Sequence, residues 1–230
     1  MIEDLCRQIG FPLPEGAAER LDRLCSFLLK ENETTNLTAV RDPEGVHERH
    51  FFDSLAPLFA GLLPEGAAAG VDVGCGPGFP GLPLLIARPD LSLTFLDSTE
   101  KKCAFVRSFL QSEGLPGEVV CARAEDYGQS AGRERFDFAV SRAVTALPAL
   151  CELCLPLIRV GGRLIAYKGE KATEELEAAQ RAIQTLGGQA RFVVDAPSSG
   201  GAARLVVVEK VSPTPPRYPR AWAQIKKKPL

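Results

Sequence analysis

The sequence predicts an α/β fold, a doubly wound and mostly parallel sheet that closes in a C-terminal antiparallel hairpin and is preceded by helices. Three observations carry this reading. From Gly70 onward, apolar strand-like runs alternate with amphipathic helical ones, as a parallel sheet with crossover helices requires. Residues 70–81, Gly-Val-Asp-Val-Gly-Cys-Gly-Pro-Gly-Phe-Pro-Gly, compress a strand end, a glycine-rich turn and a helix start into one stretch. The last two strand-like runs, residues 190–195 and 203–210, lie too close together for a parallel crossover.

Taken in order, the first sixty or so residues read as helical. Over residues 14–31, Leu21, Leu24, Cys25 and Leu28 fall on one stripe, and Asp42-Pro43 reads as an N-cap and first helical residue opening a helix to about residue 60. Such an extension either packs on the core or contributes to a cleft. The first strand then runs into the glycine loop. Residues 92–96 form a second strand ending at Asp97, followed by a helix over 100–113 with Cys103, Phe105, Val106 and Leu110 on its apolar face. Residues 117–121 form a third strand leading into Arg123-Ala124-Glu125-Asp126, and 135–140 a fourth that delivers Ser141 and Arg142 at its carboxyl end. A helix from Leu147 follows. Gly161-Gly162 turns the chain into a fifth strand over 163–167 that ends at Lys168, and a helix over 171–186 stops at Gly187-Gly188. The expected organisation is a helical extension (1–65), a core (66–212) and a basic, Pro-rich, extended tail (213–230).

Composition narrows the function. At 230 residues, the chain is long enough for one large core with a small appendage. Hydrophobic content of 45% with 24% charged residues is that of an ordinary globular protein, and no apolar run is long enough to span a bilayer. The N-terminus carries Glu3 and Asp4 where a secretory signal carries base, so a cytoplasmic location is expected. Seven cysteines, an odd number scattered through strands and helices, do not form a disulfide framework. Cys151 and Cys154 share one face of an amphipathic helix, with no second pair to complete a zinc site, and read as core. His47 and His50 lack a third ligand and read as a polar surface or satisfied hydrogen bonds, so no metal is expected.

Two registers of the glycine loop compete. Gly76-x-Gly78-x-x-Gly81 fits a dinucleotide fingerprint with Asp97 downstream. Asp72-x-Gly74-x-Gly76-x-Gly78, with the acid first, is the loop of S-adenosylmethionine (SAM) methyltransferases on a Rossmann-like sheet. The second is preferred, because an acid and an extra glycine precede Gly76 and because the closing hairpin agrees with it. In either register the helix N-terminus behind the turn offers unpaired N–H groups to a polar or anionic part of the cofactor. Asp97, at the carboxyl end of the second strand, can accept both hydroxyls of a ribose, and Glu125 or Asp126 can accept from an adenine amino group. Arg142 is the first choice for a site arginine, and Lys168 joins the same sheet edge. Arg217, Arg220, Lys226, Lys227 and Lys228 place five positive charges and no acid in the last fourteen residues, with Tyr218 and Trp222 interleaved for base stacking. A solubilising terminus is the alternative. The net charge of −2 makes any RNA contact local and salt-sensitive.

Beyond these elements, Asn36-Leu-Thr-Ala, Arg49-His-Phe-Phe-Asp-Ser-Leu55, the loop with its Gly-Phe-Pro-Gly extension, Leu96-Asp-Ser98 with Lys101-Lys102, Arg123-Ala-Glu125, Ser141-Arg-Ala143, Lys168-Gly169 and Tyr218-Pro-Arg220 occur in order. Together they resemble the bacterial small-subunit rRNA methyltransferase G family over nearly the whole chain. The resemblance implies transfer of a methyl group from SAM to N7 of a guanine in 16S rRNA, with the rRNA or the small ribosomal subunit as partner; separately, a monomer is expected. It implies cofactor-site roles for Gly74, Phe79, Ala124, Glu125 and Arg142, with Asp97, Ser98 and Thr99 near the ribose. Arg142 is also the residue expected to serve the chemical step, and Lys168 to meet RNA phosphate or the cofactor carboxylate. One departure stands in the tail, where Ala221-Trp222-Ala223 replaces the family's further basic residue and glycine. Two other functions share parts of the pattern, a small-molecule SAM methyltransferase and a non-catalytic RNA-binding or assembly protein.

Overall fold

Strands Ala68–Val73 (β1), Leu91–Asp97 (β2), Gly117–Cys121 (β3), Phe136–Arg142 (β4), Ile158–Lys168 (β5), Gly188–Ser198 (β6) and Gly201–Lys210 (β7) form one sheet in the order 3-2-1-4-5-7-6. The computed structural model describes residues 1–230, the side chain of Ala202 excepted. β1 to β5 are parallel, whereas β7 runs antiparallel to both β5 and β6. The strand order reverses between β1 and β4. In an open α/β sheet that switch point leaves a crevice beyond the carboxyl ends, and every strand-end candidate except those of the tail arrives there.

Helices cover both faces. On one side lie Ile2–Gln8 (α1), Ala17–Thr35 (α2), Pro43–Gly45 (α3), a π-helix over Val46–Phe52, Ala56–Phe59 (α4), Gly81–Ala87 (α5) and Glu100–Glu113 (α6). Leu21, Leu24, Leu28, Leu55 and Leu82 are all buried here in a single core with Leu93 and Phe95 of β2. On the other side Ala124–Gly128 (α7), Leu147–Cys154 (α8), Ala172–Thr185 (α9) and Trp222–Lys227 (α10) bury Leu150, Cys151, Cys154, Ile183 and Ile225 against Val71, Ala139 and Val206. Cys151 and Cys154 are thus core residues with free thiols, and burial pushes the Cys151 thiol up to about 12. Among the described residues no helix is long and apolar enough to cross a membrane.

Four local expectations are corrected. α2 starts at Ala17, because Gly16 in left-handed backbone (φ 76°) separates it from Pro14. The Asp42 N-cap forms as expected, its Oδ1 accepting from Gly45 N at 2.7 Å, but the helix it opens widens into the π-helix after one turn. β5 begins at Ile158, with Gly161 and Gly162 inside it. Gly161 sits at φ 90°, and the pairing with β4 jumps from Phe136↔Ile158 to Phe138↔Arg163, so the glycines form an irregularity within the strand. The tail is not a free extended segment. Tyr218 and Ile225 are buried, and residues 222–227 are helical.

Candidate active site

The glycine loop is fastened at both ends. Gly74 N and Cys75 N donate to Leu96 O at 2.7 and 3.2 Å, tying the loop to β2. Gly74, Gly76 and Gly78 have φ of 70°, 55° and 91°, a left-handed run that side chains disfavour. A Cβ on Gly74 would stand 2.5 Å from Val144 Cγ2, while one on Gly76 would meet nothing within 4 Å. Beneath the loop, Asp72 is fully buried. Its Oδ2 accepts from Gly81 N at 2.8 Å and its Oδ1 has no partner; burial pushes its carboxyl up to about 7.

This corrects one expectation. The first N–H of α5 is taken by Asp72 and is not offered to a ligand. The competing register needs Gly81 at a phosphate-binding helix start, so the geometry selects the acid-first register.

Two chambers flank the loop. The first, of about 340 Å³, is lined by Gly74, Asp97, Ser98, Thr99, Ala124 and Glu125, all named above as cofactor-site candidates. Asp97 is held from both sides: Gly76 N donates to its Oδ2 at 3.0 Å and Thr99 N to its Oδ1 at 2.8 Å. Each oxygen keeps a lone pair, so the carboxylate is oriented and still able to accept from hydroxyls. Asp72, Gly76, Gly78 and Phe79 do not line this chamber. They shape the loop and what lies behind it.

The second chamber, of about 700 Å³, is lined by Asp53, Arg142, Tyr167, Lys168 and Glu175 and shares Ala143 and Val144 with the first. These two residues form the sill between them. Ala143 has φ 58°, a left-handed conformation in a non-glycine residue that turns the chain sharply after β4. Arg142 is aimed by the N-terminal helices: Nη1 donates to Arg49 O at 3.1 Å, and the guanidinium lies 5.8 Å from the Phe79 ring centroid. His50 stacks on the same ring, 4.8 Å from the Phe79 centroid at 11°. His50 Nε2 lies 2.7 Å from Thr38 Oγ1, and Arg142 Nη2 approaches Nδ1 at 3.5 Å. Burial, with the Arg142 charge second, brings the His50 imidazole down to about 4, so the ring is neutral and Nε2–H is the donor to Thr38.

Lys168 is not the free cation the sequence suggested. Its Nζ donates to Thr145 O and to Glu175 Oε2, both at 2.8 Å, and its side chain is only 8% exposed. It braces the sill. In the tail, Arg220 is likewise held inside the protein, with Nε and Nη2 donating to the two oxygens of fully buried Glu152 at 2.7 and 2.6 Å and its N–H to Oε1 at 2.9 Å. Arg217 stays exposed over the Tyr218 ring at 5.1 Å, Lys226 and Lys227 are exposed on α10, and Lys228 is exposed just past its end.

SAM fits this donor set. Gly74 brings the loop backbone to the chamber wall, the buried Asp72 with one unpartnered oxygen underlies the loop, and Asp97 and Glu125 supply acceptors of the kind that ribose and adenine need. Sequence reasoning missed His50, Asp53, Tyr167 and the position of Trp222, which lines the first chamber. The Arg49-His50-Phe51-Phe52-Asp53 string was the available signal, but nothing in its spacing connects it to the far end of β4.

The profile of the family described as rRNA small subunit methyltransferase G matches residues 17–203. The ribosomal RNA small subunit methyltransferase G of Lactobacillus delbrueckii subsp. bulgaricus is 45% identical over 210 residues, covering 88% of this chain and 87% of that protein. That of Alkaliphilus metalliredigens is 39% identical over 234 residues, covering 100% and 98%. Among solved structures, a ribosomal protein L11 methylase from L. delbrueckii subsp. bulgaricus superposes with a TM-score of 0.53 at 14% identity, over 74% of this chain and 80% of that one, a likeness of fold.

Proposed function

The chain belongs to the rRNA small subunit methyltransferase G family, and from that premise we propose that it transfers a methyl group from SAM to N7 of a guanine in 16S rRNA, with the adenosine held in the first chamber and the guanine entering the second. The observation that carries this assignment of chambers is their meeting at Ala143 and Val144, at the carboxyl end of β4 beside the glycine loop. Asp97, oriented by two backbone donors, accepts from the ribose hydroxyls. Glu125 accepts from the adenine amino group. The backbone from Gly74 to Gly76 faces the amino-acid portion, and Arg142, with donors left beyond its bonds to Arg49 and His50, meets its carboxylate.

Bound SAM supplies a methyl group on a cationic sulfur. The protein's task is alignment, because neutral guanine carries an available lone pair at N7 and needs no general base. The second chamber suits this. Its histidine neighbour is neutral, Lys168 is paired with Glu175, and Asp53 lies on the wall, so positive charge arriving on the base meets no uncompensated cation other than Arg142. Arg142 is fixed by the π-helix rather than by the sheet alone, which couples the N-terminal helices to the reacting geometry.

The test supplies purified protein with methyl-labelled SAM and unmethylated small subunits, or their naked rRNA, then digests the RNA and identifies labelled nucleosides. Label in 7-methylguanosine is expected. No label despite measurable SAM binding would sink the rRNA assignment.

A further inference from the structure

We propose that Trp222 packs against the adenine ring of the bound cofactor, so that the C-terminal segment is a wall of the cofactor pocket. This rests on the reading that the first chamber holds adenosine. The indole lines that chamber together with Ala124, Glu125 and Leu153. Glu125, on the same lining, offers an acceptor to a base.

The segment is held firmly enough to make such a wall. Thr214 Oγ1 donates to Leu186 O at 2.8 Å, Arg133 donates to Thr214 O and Tyr218 O at 2.6 and 2.8 Å, and Gln129 Nε2 donates to Pro219 O at 2.7 Å. Two residues before Trp222 stands Arg220, clamped to Glu152, and three residues after it Ile225 is fully buried in the core. The chain is therefore anchored on both sides of Trp222. It remains half-exposed on the pocket side of a segment whose other aromatic, Tyr218, is buried. A large flat apolar surface left partly in water beside a polar acceptor suits a heteroaromatic ring with an exocyclic amino group.

Trp222 is the single tryptophan of the chain, which makes the test direct. The full-length protein is titrated with S-adenosylhomocysteine while tryptophan emission is recorded, and affinity is measured in parallel by calorimetry. Saturable change in emission, matching the calorimetric curve, is expected with S-adenosylhomocysteine and at higher concentration with adenosine, but not with methionine. Trp222→Ala should weaken S-adenosylhomocysteine by about tenfold or more, and Trp222→Phe by much less, the size expected for a base on an aromatic face. Unchanged emission in a protein that binds S-adenosylhomocysteine by calorimetry overturns the contact, as does Trp222→Ala binding as tightly as the wild type. Absence of any calorimetric binding to the wild type would instead overturn the cofactor reading beneath it.

Discussion

The two chambers share a sill but are built differently. The first is assembled mostly from short strand ends and the turns that follow them, closed by Leu153 and Trp222, with backbone amides orienting its carboxylate, Asp97. The second is assembled from parts far apart in sequence: Arg142 from β4 is aimed by Arg49 and stacked near Phe79 and His50, Tyr167 donates to Ser54 O at 2.5 Å, and Asp53 accepts from Ser199 N at 2.7 Å. One half of the site is a property of the sheet. The other depends on the N-terminal helices and the closing hairpin staying docked, and so carries the greater burden of tertiary structure.

The strongest way to break the first half is through its tail wall. Arg220→Ala should lower stability by about 3 kcal/mol, measured by urea unfolding, because it leaves the fully buried Glu152 carboxylate without its cation. Next, Asp97→Ala removes two charge-assisted acceptors and the anchor of Gly76, and should weaken S-adenosylhomocysteine roughly 100-fold by calorimetry. Arg142→Ala tests the second half: turnover on rRNA should fall about 30-fold, with cofactor affinity reduced less, and an unchanged rate and affinity would remove Arg142 from the site.

His50 sharpens the contrast by pH. Its imidazole is brought down from the ordinary 6.5 to about 4, so the unfolded chain binds the proton first and the stability His50 contributes is present above 6.5 and lost as pH falls toward 4. Asp72, pushed up to about 7, slopes the other way, so the readout is the difference between wild type and His50→Gln. That difference should shrink by roughly 1.5 kcal/mol between about pH 7 and pH 5. The smallest effect is expected on α10 and just past its end. Each of Lys226, Lys227 and Lys228 changed to Ala should weaken RNA only a few-fold and reduce the salt slope of binding by about 1 if its ammonium meets a phosphate.

How much of this was legible in the sequence follows the same division. The glycine loop, Asp97 and Glu125 could be placed because each lies within a strand–turn–helix unit whose geometry is local, whereas Ala124 came only with the family resemblance. The closing hairpin was legible from the short connection between its strands. Lys168 looked like a free strand-end cation because nothing in a strand pattern says that Glu175, seven residues on, returns to meet it. Arg220 read as one more basic tail residue, since Glu152 stands 68 positions earlier within an apolar helix. His50 was read as a polar surface or a satisfied hydrogen bond, without its partners. Its environment is made by Phe79, Thr38 and Arg142 from three separate elements, a juxtaposition that periodicity does not encode.

The Arg220–Glu152 clamp also bears on the order in which this chain matures as it leaves the ribosome. Glu152 emerges 68 residues ahead of its cation, and β7, which lies between β5 and β6, comes after both neighbours. At elongation rates of about 5–20 residues per second, that gap lasts several seconds. Throughout it, α8 carries a carboxylate that water must still reach, so the face of the sheet bearing α8, α9 and the tail seals last, and the N-terminal helices have first opportunity to dock.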